Sequence, residues 1–417
     1  MGRISLDIRH ALLYKARGER IQVKWLKRTE NQTLLAILLA IAVGTLWPGI
    51  TQFEVLGKIF LRLLKMVVLP LVFTSVFSSI AGLGTLRSFE RLGLLSLVYY
   101  FCTTALAVFT GLVLVHLLHP AAPISFHAVP KLKSLNPKDL LLDLFPENMV
   151  RSFAEDRVIP VLFLALILGG ACLQAREKGL PLKTLLDSLN ETLLALTRGI
   201  VRFTPVGVFF LVGPLVACQG PSSLLGLGGY ILTVILGLAF HATLTLPLLL
   251  WLWGKVSPWR YFLAVREAPF LAFSTASSSA TLPVTLEVAE DRAGVRPEVA
   301  GFVLPLGATV NMDGTALYEA VAAMFIAFSY GLSLGGTQSL LVFLTAVLAS
   351  VGAAGIPGAG LVTMTLVLQS VGLPLEGLGL ILAVDRFLDM LRTSVNVWGD
   401  LVGVKIIDKV LARSGSF

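Results

Sequence analysis

Five polar side chains recur in one short stretch near the C-terminus, AVDRFLDMLRTSVNVWGD (383–400): Asp385, Asp389, Arg392, Asn396 and Asp400. Their spacings of 4, 3, 4 and 4 put them on one face of a helix, with Thr393 beside Arg392. An internal ladder of ion pairs, Asp389–Arg392 above all, is the purely structural reading. A ladder needs no surplus of acids, yet three carboxylates here face only Arg392 and Arg386. The surplus wants a cation, and a guanidinium fork is the usual reader of a carboxylate. The chemistry of this stripe is therefore recognition of a small cation and an anion. Catalysis is poorly supported, because His116 and His241 have no nucleophile or acidic pair at a useful spacing.

A second segment, LPLGATVNMDGTALYEA (304–320), carries the complementary donors. Gly307 and Gly314 flank Asn311, Met312 and Asp313, which predicts an unwound helix with exposed backbone carbonyls. Oxygen ligands from Asp313, Asn311 and Asn396 with main-chain carbonyls suit an alkali cation better than Mg2+, which demands near-ideal octahedral geometry. Glu319 lies six residues after Asp313 in an apolar setting. A desolvated glutamate there could carry a proton, or could equally be a structural hydrogen-bonding acid. Ser277, Ser278 and Ser279, and the backbone at Gly358 and Gly360, offer donors near helix ends, which favour anionic groups.

The elements that must hold these residues are membrane helices. The 417 residues are 56% hydrophobic and 14% charged, against about 25% charge in soluble domains, and the mean hydropathy is +0.84. No Asp, Glu, Lys or Arg occurs from Phe203 to Gly254 or from Ala320 to Leu375. Each stretch is long enough for two passages of about 20 residues. The net charge of +8 does not point to nucleic acid, since residues 1–30 hold eight basic residues against three acids just before the first apolar run. That bias places the N-terminus in the cytoplasm. Cys102, Cys172 and Cys218 have no paired spacing and read as small buried hydrophobes.

Helical spans are expected at 32–48, 55–84, 92–118, 156–175, 190–217 and 226–253, with 119–155 as an external linker. Basic clusters at alternate ends fit single crossings. Two later segments are not ordinary spans. FLAFSTASSSATLPVTLEVAEDR (270–292) is interrupted by hydroxyls, and LTAVLASVGAAGIPGAGLVTMTLVLQ (344–369) by glycines and Pro357. Breaks at bilayer depth are tolerated where they are buried in protein or line a cavity. The segments are expected to be helical hairpins entering from opposite faces, one crossing (299–329) lying between them and a last helix at 376–411. Such an inverted repeat suits a secondary transporter with a midplane site; two pairs of short, kinked spans are the alternative.

SSSATLP (277–283), NMDGTALYE (311–319), GIPGAG (355–360), the D-x3-D-x2-RT-x2-N-x3-D pattern (385–400) and the early KMVVLPLVF (65–73) together resemble the dicarboxylate/amino acid:cation symporter family. The resemblance runs from about residue 31 to 411. It implies an all-α polytopic membrane protein with eight transmembrane helices and two re-entrant hairpins (258–292 and 337–370), working as an elevator within a homotrimer. The implied division is a basic N-terminal segment (1–30), scaffold helices (31–91), a transport-domain helix (92–118), a linker with further scaffold helices (119–225), the transport domain (226–411) and a short tail (412–417), in a multi-pass protein of the cell (inner) membrane with both termini in the cytoplasm. The implied activity is symport of L-glutamate or L-aspartate with Na+, with possible H+ coupling; a proton-coupled C4-dicarboxylate or glutamate carrier is the alternative. No organic cofactor or nucleic-acid partner is implied, and membrane lipid is the surrounding partner.

Carried over by motif, Arg392 would hold the substrate side-chain carboxylate and Asp389 the amino group, assisted by Thr315 and Thr393. Asn396, the serines from Ser277 to Ser279 and the backbone at Gly358 and Gly360 would take the main-chain groups. Asp400 with backbone around Asn311 and Asn396 resembles a first sodium site, and Thr309 and Met312 with the second hairpin a second. Tyr100, Thr103, Thr104, Asn311 and Asp313 resemble a third, although such hydroxyls are often merely bonded back to their own helix. The family's second arginine is absent, its two usual positions being Ala276 and Met390, and Arg386 lies one turn before Met390. Glu319 resembles the branch in which that glutamate takes part in proton coupling.

Overall fold

The computed structural model describes residues 29–82, 87–121, 145, 147–155, 157–220, 226–351 and 358–413. The basic N-terminal segment, most of the 119–155 linker and the tip of the second expected hairpin (352–357) lie outside the described residues.

All described regular structure is helical. The helices are α1 (Thr29–Leu46), α2 (Glu54–Ala81), α3 (Arg87–Leu118), α4 (Val158–Ala175), α5 (Leu180–Arg202), α6 (Thr204–Gln219) and α7 (Leu227–Gly254). After them come α8 (Pro258–Val265), α9 (Glu267–Thr275), α10 (Ser278–Glu287), α11 (Pro297–Val310), α12 (Asp313–Ser329), α13 (Gly336–Val351), α14 (Ala359–Val371) and α15 (Leu378–Arg413). Among the described residues four stretches, Pro48–Ala81, Arg91–Leu118, Ile159–Arg202 and Leu227–Gly254, are long and apolar enough to cross a membrane, and shorter apolar helices accompany them. Large apolar side chains such as Leu38, Met66, Phe109 and Trp251 stay exposed on the outside, as they do on a protein solvated by lipid rather than water.

One sequence expectation is corrected. The span read as 190–217 is two helices, α5 and α6, broken at Phe203. Pro205 falls at the start of α6 and lacks the N–H that a continuous helix would need. The charged residues of α5, through Arg202, give it an amphipathic face that does not belong in the same apolar rod. The cysteine reading is corrected as well: Cys172 is buried, but Cys102 and Cys218 are exposed, tolerated because a thiol facing lipid is not out of place.

The helices pack in two groups. In one, α1 packs on α6, and α2 packs on α4, α5 and α6. In the other, α15 is surrounded by α7, α9, α11 and α12, while α3 packs against α7, α12 and α13. Contacts between the groups run from α14 to α2 and from α15 to α6.

The interruptions sit where the sequence weakens the helix. Between α9 and α10, Ala276 takes a left-handed conformation (φ 48°) and Ser277 caps α10 by accepting the Ala280 N–H at 3.2 Å. The two short helices then fold against each other. Helices α13 and α14 also pack together, α14 starting at Gly358 in a left-handed conformation (φ 79°) that glycine adopts freely. Between α11 and α12 the chain unwinds at Asn311 and Met312. The α11–α12 break and the start of α14 meet the polar stripe of α15, where Asn396 accepts the Gly314 N–H and Asp389 the Gly358 N–H.

Candidate functional site

The α15 stripe is buried rather than displayed on an outer face. Arg392 is wholly buried and donates from Nη2 to Asp389 Oδ1 at 2.8 Å, with Asp385 Oδ1 at 3.1 Å. Its guanidinium lies over the Tyr318 ring, 3.7 Å from the centroid, a cation–π contact that also fixes its plane. Tyr318 donates its hydroxyl to Asp385 Oδ1 at 2.6 Å. Two guanidinium nitrogens, Nε and Nη1, have no hydrogen-bond partner among the described residues. A buried charged donor left unmatched is costly, so this fork is shaped for an acceptor that the described residues do not supply.

Helix α14 closes over the same point. The Gly358 N–H donates to Asp389 Oδ2 at 3.2 Å, and a Cβ on Gly360 would stand 3.1 Å from Arg392 Nη1. Glycine is thus what allows the α14 backbone so near the guanidinium. Asp389 also has Arg386 Nη1 at 3.5 Å and is bracketed by two guanidinium groups. Thr393 is tied to its own helix through Asp389 O at 2.8 Å. Ser277 and Ser278 are buried at the α9–α10 break, whereas Ser279 is exposed.

One helical turn further along α15, Asn396 joins the stripe to the α11–α12 break. Its Oδ1 accepts the Gly314 N–H at 2.8 Å, and its Nδ2 donates to Met312 Sδ at 3.2 Å and Thr315 Oγ1 at 3.4 Å. Below it, Asn311 Nδ2 donates to Asp400 Oδ1 at 2.9 Å and to Asn396 O at 3.3 Å, while Asn311 Oδ1 is buried without a partner among the described residues. Asp313, also wholly buried, accepts from Thr104 at 2.7 Å and has His241 Nε2 at 3.1 Å. These hard oxygens, with the carbonyls of an unwound turn, form a donor set suited to an alkali cation. Among the described residues no group of three or more His, Cys, Asp or Glu side chains could hold a metal.

Three expected ligands have their hydroxyls bonded to backbone carbonyls. Thr309 is exposed and its hydroxyl bonds back to Leu306 O at 2.9 Å. Thr103 is buried but bonded to Tyr99 O and Tyr100 O, both at 3.2 Å, while Tyr100 donates to Val303 O at 2.8 Å. Glu319 is wholly buried, accepts a hydrogen bond from Thr363 of α14 and leaves Oε2 without a partner among the described residues.

Sequence reasoning passed over two participants. His241 reads as a packing or interfacial residue, yet it sits in a π-helical turn, His241–Thr245, against Asp313; such turns recur at functional sites. The available signal was a lone histidine in the uncharged run from Phe203 to Gly254. Tyr318 was visible only as part of the NMDGTALYE motif, with nothing local to place it beneath Arg392.

Close packing makes glycine obligatory here. A Cβ on Gly307 would meet Asp400 Oδ1 at 2.4 Å and the Tyr100 hydroxyl at 2.6 Å. Gly307→Ala is therefore expected to displace the Asp400 carboxylate, costing about 1–3 kcal/mol of stability and weakening the sodium dependence of substrate binding. A thermal melt with a sodium titration checks this; a variant matching the parent in both would show that Asp400 is not held in place by this contact.

An all-helical membrane chain in which a buried arginine with open donors adjoins a cluster of hard oxygens defines a solute carrier with a cation site. The chain belongs to the sodium:dicarboxylate symporter family, whose model matches residues 30–410. It is 36% identical to excitatory amino acid transporter 1 of Ambystoma tigrinum, covering 92% of this chain and 83% of that protein. It is 35% identical to excitatory amino acid transporter 3 of Mus musculus (91% and 84% covered) and 34% identical to an excitatory amino acid transporter of Caenorhabditis elegans (94% and 89%).

Proposed function

We propose that this protein is a secondary transporter that moves L-glutamate and L-aspartate across the membrane together with Na+. The observation that carries the reading is the wholly buried Arg392, whose Nε and Nη1 lack partners among the described residues beside the α14 backbone. In this reading those donors take the substrate side-chain carboxylate. Asp389 takes the amino group, with Thr315 and Thr393 beside it. Asn396, the Ser277–Ser279 run and the backbone at Gly358 and Gly360 take the main-chain groups.

Sodium enters as co-substrate. Asp400 with the backbone near Asn311 and Asn396 would hold one ion, and the unpartnered Asn311 Oδ1 supports this. Asp313, Asn311, Thr104, Thr103 and Tyr100 would hold a second, and the Thr309–Met312 turn with the α13–α14 backbone a third. Glu319 is the candidate proton carrier, because its free Oε2 is buried at the α12–α14 contact. The architecture that fits is eight crossings with α9–α10 and α13–α14 as opposed re-entrant hairpins, both termini in the cytoplasm. The helices around α15 would slide as one unit against a scaffold of α1, α2 and α4–α6, three copies assembling through their scaffolds. The packing of the helices in two groups supports that division.

A second reading, a carrier of C4-dicarboxylates lacking an amino group, is favoured by one contact. Arg386 Nη1 lies 3.5 Å from Asp389 Oδ2 and offsets the negative charge that would repel such a substrate. Asp389→Asn decides between them. The amino acid reading expects this variant to lose aspartate transport while retaining any succinate transport. Full aspartate uptake by the variant would remove Asp389 from its assigned role.

A further inference from the structure

At the end of α7, where 52 consecutive residues without a charged side chain (Phe203–Gly254) give way to Lys255, the surface carries a pocket of 380 Å³ lined by Trp251, Leu252, Lys255, Val256 and Ser257. Trp251 of its lining is more than half exposed, as are Trp253 and Trp259 on either side in the sequence. Tryptophan gathers at the boundary between hydrocarbon and headgroups, where its ring is half solvated by each. Lys255 and Arg260 are exposed, and among the described residues neither makes an ion pair. Arg413, the last residue of α15, donates to Trp253 O at 3.2 Å and brings a third cation to the same rim. Two acids of neighbouring segments are already engaged, Glu267 with Arg292 at 2.8 Å and Asp408 with Arg296 at 2.7 Å. Ser257 makes no side-chain cap to α8, so its hydroxyl is not spent on the helix.

We propose that this pocket is a binding site for an anionic phospholipid. The headgroup phosphate is held by Lys255 and the Ser257 hydroxyl, and the acyl chains run down the Trp251–Leu252 face of α7. The charge complementarity selects an anionic over a zwitterionic lipid, and the apolar wall selects a lipid over a free anion. Helix α7 packs on α15, so the bound lipid travels with the helices that carry the polar stripe.

The test is quenching of tryptophan fluorescence in the full-length protein reconstituted into phosphatidylcholine vesicles, with brominated phosphatidylglycerol or brominated phosphatidylcholine as the probe. The Trp251 contribution is the difference between the parent and Trp251→Phe. The proposal expects phosphatidylglycerol to be favoured at Trp251 by about fivefold, the worth of one basic residue near an anionic lipid. Lys255→Gln should bring the two lipids level, and Lys255→Arg should keep the preference. Equal quenching by both lipids in the parent overturns the proposal. So does an equal loss of preference in Lys178→Gln, a remote basic residue, since that would report bulk surface charge. Abolition of the preference by inorganic phosphate would make this a small-anion site and would overturn it as well.

Discussion

Replacing Arg392 by alanine is expected to lower affinity for L-aspartate and L-glutamate by more than tenfold. The side chain is wholly buried, with partners on one face and open donors on the other. Truncating a buried hydrogen-bonded charge costs roughly 2–5 kcal/mol, much of it from the partner left behind. Here two carboxylates, Asp385 and Asp389, lose their shared counter-charge, so the effect belongs at the upper end of that range. Arg392→Lys separates charge from geometry, because a lysine restores the charge without the planar fork. Affinity measured by calorimetry on protein that still melts cooperatively is the readout. Unchanged aspartate binding in Arg392→Ala would reduce Arg392 to a member of an internal ion-pair ladder.

Asp313→Asn is expected to shift the sodium titration without a matching change in substrate preference. Asp313 accepts from Thr104, faces His241 and sits at the start of α12 beside the unwound turn. The substitution removes the charge while keeping the shape. Hydrogen bonds to charged groups are worth roughly 1.5–3 kcal/mol each, which sets an expected loss of sodium affinity of about tenfold or more. His241 makes the test sharper. The imidazole Nε2 lies 3.1 Å from Asp313 Oδ2, an oxygen the ion would use, so His241→Asn should move the sodium titration too, and a purely packing histidine would not. A sodium titration identical to the parent in Asp313→Asn would dismiss Asp313 as a ligand.

Much of this site was legible in the sequence because a membrane simplifies the reading. In an apolar helix every charged residue is conspicuous and must meet a partner, and the 3.6-residue repeat of Asp385, Asp389, Arg392, Asn396 and Asp400 places them on one face. The breaks were legible for a related reason. Asn311, the serine run and the 355–360 glycines interrupt otherwise continuous hydrophobic spans, and α9–α10, α11–α12 and α13–α14 are divided around these points. What was not legible was pairing between distant segments. Nothing in the sequence near His241 indicates that it meets Asp313, 72 residues away, and nothing local brings Tyr318 beneath Arg392. The break at Phe203 was missed for a different reason. The apolar run continues through it, and only Pro205 and the charges of α5 mark the boundary.

Uptake of labelled L-aspartate and L-glutamate into proteoliposomes, driven separately by an inward Na+ gradient and by an inward H+ gradient alone, tests coupled symport most directly. Concentrative uptake that requires sodium is the predicted result, and it would support Asp313, Asn396 and Asp400 as groups that meet the ion. Accumulation driven by protons alone, with none from sodium, would contradict it and make Glu319 the leading carrier.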